Sequence, residues 1–182
     1  MLVREMKAFT LGFSLVELMV TVAVLGVITA IAIPSFGEIL DSSRRTSVAG
    51  ELASDFSLAR TEAARRGKRV TVWVSNDGAT CSSAATDWKS GWIVFSDVAA
   101  DGVLATADGD ELLRRKDALS GGLSFVSSGF TTSGRVQFRP SGAADSGGAF
   151  LLCKPGKPGA NGRQISLSFS GAVIRTTGVT CP

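Results

Sequence analysis

The chain is 182 residues long and 45% hydrophobic, and its 19 basic and 16 acidic side chains leave a net charge of +3 at pH 7. It contains no histidine, which removes the commonest general base and the commonest metal ligand. The length suits one globular domain, and so small a net charge does not make the chain as a whole a polyanion binder.

Residues 1–12 are short and polar, with Arg4, Glu5 and Lys7. From Phe13 to Ile33 there are 21 residues without a lysine, an arginine or any acid but Glu17. That is long enough to span a bilayer as one helix. Positive charge before the span predicts a single pass with the carboxy-terminal part outside. A carboxylate in such a segment costs a few kcal/mol on insertion scales, so Glu17 requires a cation. A secretory signal is the alternative, with Ala30-Ile31-Ala32 as a small-residue cleavage site. The acid and the helical pattern that continues past Ala32 oppose it.

Pro34 follows. It either kinks or locally melts a membrane helix or opens a new helix at its first turn. Beyond it Phe36, Ile39, Leu40, Val48, Leu52, Phe56, Ala59 and Ala63 form a stripe at steps of three or four, interrupted at 43–47. This predicts an amphipathic helix to about Arg66, with Asp41, Arg44, Arg45, Glu51, Asp55 and Glu62 on other faces. Gly67 ends it, after Arg60, Arg65 and Arg66 in the last turns, where cations suit the helix dipole. Counted from Phe13, such a stem is about 80 Å long at 1.5 Å per residue.

The rest, from Lys68 to Pro182, reads as short strands between glycine-rich turns. They are Val70–Val74, Trp92–Phe95, Glu111–Arg114, Leu123–Val126, Arg135–Phe138, Ala149–Leu152 and Gln164–Phe169, with a further one at Ala172–Arg175. They predict an antiparallel sheet wrapped on the helix, an α+β head. Lys154–Gly162 reads as a mobile glycine- and proline-rich loop. Trp88 and Trp92 read as core aromatics.

Catalysis has little support. There is no Gly-x-Ser-x-Gly elbow, no phosphate loop and no Cys-x-x-Cys, and no cofactor or metal is expected. Asp97, Asp101, Gly102, Asp108 and Asp110 loosely follow a calcium loop, but the third position would be Ala99 and the twelfth an aspartate. Turn formation explains those acids more simply. The three cysteines, Cys81, Cys153 and Cys181, leave one without an intramolecular partner if two pair in an oxidising compartment.

Gly12 followed by Phe13-Ser14-Leu15-Val16-Glu17-Leu18 resembles the prepilin signature of type IV pilins and type II secretion pseudopilins. The head adds Trp88-Lys89-Ser90-Gly91-Trp92-Ile93-Val94-Phe95-Ser96-Asp97, then Asp101-Gly102 and Gly109-Asp110-Glu111-Leu112-Leu113-Arg114. This is similar to the GspH/FimT/FimU group of minor pilins and minor pseudopilins, on the FimT and FimU side. The resemblance implies a pilin-like α+β fold with a leader at 1–12. The transmembrane half of the helix then lies at 13–33, its amphipathic half at 34–67 and a β-rich head at 68–182.

It implies cleavage by a prepilin peptidase between Gly12 and Phe13 and methylation of the Phe13 nitrogen. Glu17 would then pair with that new amine, on a neighbouring subunit or the same one, an assembly role shared with Pro34. It also implies a Cys153–Cys181 disulfide, leaving Cys81 over. The expected place is the inner membrane, single-pass with a periplasmic head, and then a filament of other minor and major pilins or pseudopilins. The implied role is a structural minor pilin of a type IV pilus, at or near its tip, priming or connecting assembly. A GspH-like minor pseudopilin of type II secretion is the alternative.

DNA is a further partner to weigh. From Gly134 to the end, Arg135, Arg139, Lys154, Lys157, Arg163 and Arg175 stand against the single acid Asp145, a local +5, which suits non-specific phosphate contact. FimT-type pilins bind DNA in transformation through Gly-Arg-x-Arg, where this chain reads Gly171-Ala172-Val173-Ile174-Arg175. Both motif arginines are replaced. Lys154, Lys157, Arg163 and Arg175 remain the candidate DNA contacts.

Overall fold

The computed structural model describes residues 12–82, 87–132 and 134–182, with the backbone but not the side chains of 31–35. Arg4, Glu5 and Lys7 lie outside the described residues. The chain divides into two units, Met1–Leu40 and Asp41–Pro182. A single helix, α1 (Leu15–Arg66), runs through Pro34 without a break, so Pro34 does not open a new helix.

In the first unit every described side chain of α1 is exposed, among them Leu15, Val16, Leu18, Val24 and Ile28. Thr21 and Thr29 return their hydroxyls to the carbonyls of Leu18 and Leu25, both at 2.8 Å. An apolar helix thereby keeps its few hydroxyls bonded without water.

In the second unit α1 lies against two antiparallel four-stranded sheets. The strands are β1 (Arg69–Val74), β2 (Trp92–Asp97), β3 (Glu111–Lys116), β4 (Ser124–Ser128), β5 (Arg135–Phe138), β6 (Gly148–Cys153), β7 (Gly159–Leu167) and β8 (Val173–Cys181). One sheet has the order β3-β2-β1-β5 and the other β4-β6-β7-β8. Val72 pairs with Val94 on one side and Val136 on the other. In the second sheet Phe150 pairs with Ile165 and Phe125 with Leu152. The antiparallel sheet expected from sequence is built as two four-stranded sheets, with β5 leaving its chain neighbours to pair with β1.

Leu52, Phe56, Ala59 and Ala63 of α1 are wholly buried. Phe56 stands between the sheets, its ring centroid 6.0 Å from Phe138 of the first and 5.3 Å from Phe150 of the second. Two of the polar residues expected on other faces, Asp55 and Arg45, are buried at 4% and 1% exposure. The residues expected in a loop at Lys154–Gly162 are in part strand, since β7 begins at Gly159 and Gly159 pairs with Cys181. Pairing to β8 supplies the order that a Gly-Ala-Asn-Gly sequence lacks by itself.

Trp88 and Trp92 are both fully buried. Trp88 meets Phe150 edge-on, with centroids 4.8 Å apart. Between the two tryptophans a short 3-10 turn (Trp88–Ser90) ends at Gly91, whose φ is 100°. A Cβ there would stand 2.3 Å from the Lys116 carbonyl oxygen. Only glycine lets the turn approach β3 so closely, which explains the Trp-x-x-Gly-Trp spacing.

Candidate assembly site

Gly12, Phe13 and Ser14 precede α1, and Phe13 is 78% exposed. Ser14 caps the helix: its hydroxyl accepts from the Glu17 amide at 3.2 Å, and its carbonyl accepts from the Leu18 amide. Ser14-x-x-Glu17 has the spacing of a capping box, a signal legible in the sequence itself. It places Glu17 in the first turn, where the positive end of the helix dipole already favours a carboxylate. Glu17 is thus held at the helix mouth, four residues beyond Phe13, with its side chain exposed. Among the described residues no helix is long and apolar enough to cross a membrane; of the run Phe13 to Ile33, side chains are described only to Ala30.

The head fixes its own acids. Trp92 Nε1 donates to Asp55 Oδ2 at 2.7 Å, and Arg114 Nη1 donates to Oδ1 at 3.1 Å. Burial pushes the Asp55 carboxyl above its ordinary value, against both of these bonds. Asp97 Oδ2 accepts from Thr71 Oγ1, Gln137 Nε2 and the Gly102 amide. Asp110 accepts from the Val98 and Ala105 amides, and Asp101 from the Val103 amide. These carboxylates shape the 98–110 loop, and among the described residues no group of three or more could hold a metal ion.

Three of the four candidate DNA contacts are held by α1. Lys154 Nζ lies 2.6 Å from Asp41 Oδ2, and Lys157 Nζ lies 3.8 Å from the same atom. The Lys154 hydrogen bond is the chief cause that lowers the Asp41 carboxyl below its ordinary value. Arg163 donates to Thr46 Oγ1 at 3.1 Å and Ser42 Oγ at 3.0 Å. Arg175 is exposed on β8. Arg163 and Arg175 line one recess beside α1, while Lys154 and Lys157 are drawn to Asp41.

Cys153 and Cys181 form a disulfide with Cα atoms 5.8 Å apart. It joins the end of β6 to the end of β8 across Gly162 of β7, where a Cβ would meet Cys181 Sγ at 2.9 Å. Cys81 is a free, half-buried thiol whose pKa burial raises.

Residues 48–171 match the family model described as Type II transport protein GspH. The chain is 44% identical over 43 residues to the type IV major alpha-pilin of Moraxella bovis, a match that covers 24% of this chain and 27% of that protein. It thus spans about a quarter of that relative's length. To the type IV major fimbrial protein FimA of Dichelobacter nodosus it is 31% identical over 106 residues, covering 53% of this chain and 68% of FimA.

Among solved structures the minor pilin FimU of Pseudomonas aeruginosa superposes with a TM-score of 0.60 at 21% identity, over 78% of this chain and 95% of that one. The minor pseudopilin EpsH of Vibrio cholerae gives 0.51 at 11% identity, over 74% and 97%. A long helix docked on two antiparallel sheets, in these proteins and here, is the α+β fold of the pilin class. Within that class the chain belongs to the GspH/FimT/FimU family of type IV minor pilins and minor pseudopilins. It is a structural protein and not an enzyme.

Proposed function

We propose that the chain is a structural minor pilin of a type IV pilus, built in at or near the tip to prime assembly or connect the tip to the shaft. The observation that carries this reading is the bare apolar surface of α1 from Leu15 to Ile28, charged only at Glu17 and beginning three residues after Gly12. So long an exposed apolar run needs a cover. Lipid of the inner membrane covers it before assembly, with the head in the periplasm, and neighbouring pilin helices cover it afterwards.

Cleavage by a prepilin peptidase after Gly12 and methylation of Phe13 complete the scheme. The freed Phe13 amine of a neighbour then offers Glu17 the cation it requires in a low-dielectric core. The better superposition on FimU than on EpsH favours the pilus. The GspH description of the family model favours the second reading, a minor pseudopilin of type II secretion. DNA binding is the least supported, since both arginines of the Gly-Arg-x-Arg motif are replaced here and Lys154 and Lys157 are drawn to Asp41. Deletion of the gene tests all three: loss of surface pili and twitching supports the pilus reading. Loss of exoprotein secretion with normal pili replaces it with the pseudopilin, and loss of transformation alone replaces it with DNA uptake.

A further inference from the structure

We infer that the trough between α1 and β8 binds an extended, acidic segment of a partner polypeptide, which adds a strand to the free edge of β8. β8 is the last strand of its sheet and pairs only with β7. Its ladder to β7 is regular from Val173 to Thr177 and slips only beyond, around Gly162 and Val179. Among the described residues no main-chain group of Val173–Thr177 bonds to anything outside β7. The outward main-chain groups of alternate residues along this five-residue edge are therefore open, a ready template for another chain.

α1 runs beside this edge without closing it. Contiguous recesses follow the helix from Thr46 to Ala64 while β8 runs back from Thr177 to Val173. The largest is about 560 Å³. Small side chains on α1, Ala49, Gly50, Ala53 and Ser57, make the floor. At 1.5 Å per helical residue the trough is about 27 Å long, which matches about eight residues of strand at 3.3 Å each.

Its charge has one sign. Arg60, Arg163 and Arg175 line it and no carboxylate does. Arg163 is bonded to the hydroxyls of Ser42 and Thr46 and to the carbonyls of Asn161 and Gly162, so its charge stays unneutralised. Among the described residues Arg60 bonds only to the Gly171 carbonyl, at 3.5 Å. Arg175 makes no ion pair among the described residues and packs toward Gly50, where an added Cβ would lie 3.6 Å from its Nη1. Charge complementarity thus calls for an anionic occupant. A nucleic acid could meet the arginines, but phosphates only accept hydrogen bonds. The open edge presents both amides and carbonyls, which another main chain alone satisfies in alternation.

The filament reading supplies the setting in which such a partner is met, but binding is read by titration and piliation by microscopy, so either can fail alone. The test uses the full chain in a non-ionic detergent. The probe is a fluorescein-labelled, end-capped octapeptide of alternating Asp and Val, followed by anisotropy at low salt. The same peptide with Lys for Asp should bind at least tenfold more weakly. Methylating alternate amides along one edge of the acidic peptide should cost about tenfold, because it removes the ladder while keeping the charge. Arg175→Glu should also cost about tenfold, with an unchanged circular dichroism spectrum, since the side chain is exposed. Equal binding of the basic peptide, or indifference to Arg175→Glu or to amide methylation, would overturn the inference. So would binding of a 20-base-pair duplex without the acidic peptide, or self-association of the chain that Arg175→Glu abolishes while the peptide fails to bind.

Discussion

The Trp92 indole donates to the Asp55 carboxylate across 2.7 Å inside the core, tying α1 to β2. Arg114 of β3 reaches the other carboxylate oxygen, so a single acid clamps the helix to two strands. Asp55→Ala leaves a buried N–H and a cation without that acceptor and should cost about 1–3 kcal/mol. Asp55→Asn keeps an acceptor for Trp92 and should cost less. Because burial raises the folded-state pKa, ionising Asp55 is harder in the fold than in the unfolded chain. The wild type should therefore lose stability relative to Asp55→Asn as pH rises from about 3.8 to the folded-state value, and no further above it. Urea unfolding of both proteins across that range measures the difference.

Glu62 behaves in the opposite sense. Arg65 and then Arg66 hold its carboxyl down at about 2, from 4.5, and Arg66 also pairs with Glu111 at the start of β3. A depressed carboxyl contributes stability above its unfolded value and loses it as pH falls through the folded one. Glu62→Gln should thus be less stable than the wild type at pH 6, with the gap narrowing below about pH 4.5 and closing near 2. Solvent at this exposed end of α1 keeps the gap small.

What was legible in the sequence follows from which forces are local. The eight strand segments are short apolar-rich runs between glycine-rich turns, and each becomes a strand. Division into two sheets was not legible, because it depends on Val136 of β5 meeting Val72 of β1 across more than 60 residues of chain. By its place in the helical pattern Asp55 reads as a solvent-facing acid on α1, and only the packing of Trp92 beside it buries it. In the same way Lys154 and Arg163 looked like free cations, and only the docking of Asp41, Ser42 and Thr46 against them shows their engagement. The cap at Ser14 is the converse case. It is wholly local, and the Ser-x-x-Glu spacing states it.

The Cys153–Cys181 bridge passes over Gly162, which makes that glycine a spatial requirement rather than a conformational one. A Cβ would stand 2.8 Å from the Val179 carbonyl oxygen as well as 2.9 Å from Cys181 Sγ. Gly162→Val should lower stability and leave a fraction of the protein with reduced Cys153 and Cys181, seen by thiol labelling and peptide mass mapping. Cys181→Ser removes a closure 28 residues long and should cost about 3.6 kcal/mol on the chain-entropy estimate. If Gly162→Val is as stable as the wild type and fully bridged, the close approach is not what keeps glycine there.

Ser14 and Glu17 allow the two duties at the start of α1 to be separated. Ser14 satisfies the Glu17 amide, so Ser14→Ala should weaken the first turn by about 1 kcal/mol while leaving the Glu17 charge in place. Glu17→Gln does the reverse, since it keeps the side-chain length and the capped amide but loses the charge. If Glu17 serves by pairing with the Phe13 amine of a neighbour, Glu17→Gln should fail to enter filaments as fully as Glu17→Ala, whereas Ser14→Ala should still assemble. On the proposed scheme, in which the cut precedes the pairing, membrane insertion and peptidase cleavage should survive in all three. Gly12→Phe should instead block the cut and leave a heavier, membrane-retained band. Immunoblots of sheared filaments and membranes report both steps. Normal piliation by Glu17→Gln would show that the carboxylate acts through the helix cap and dipole alone, and the pairing with Phe13 would have to be abandoned.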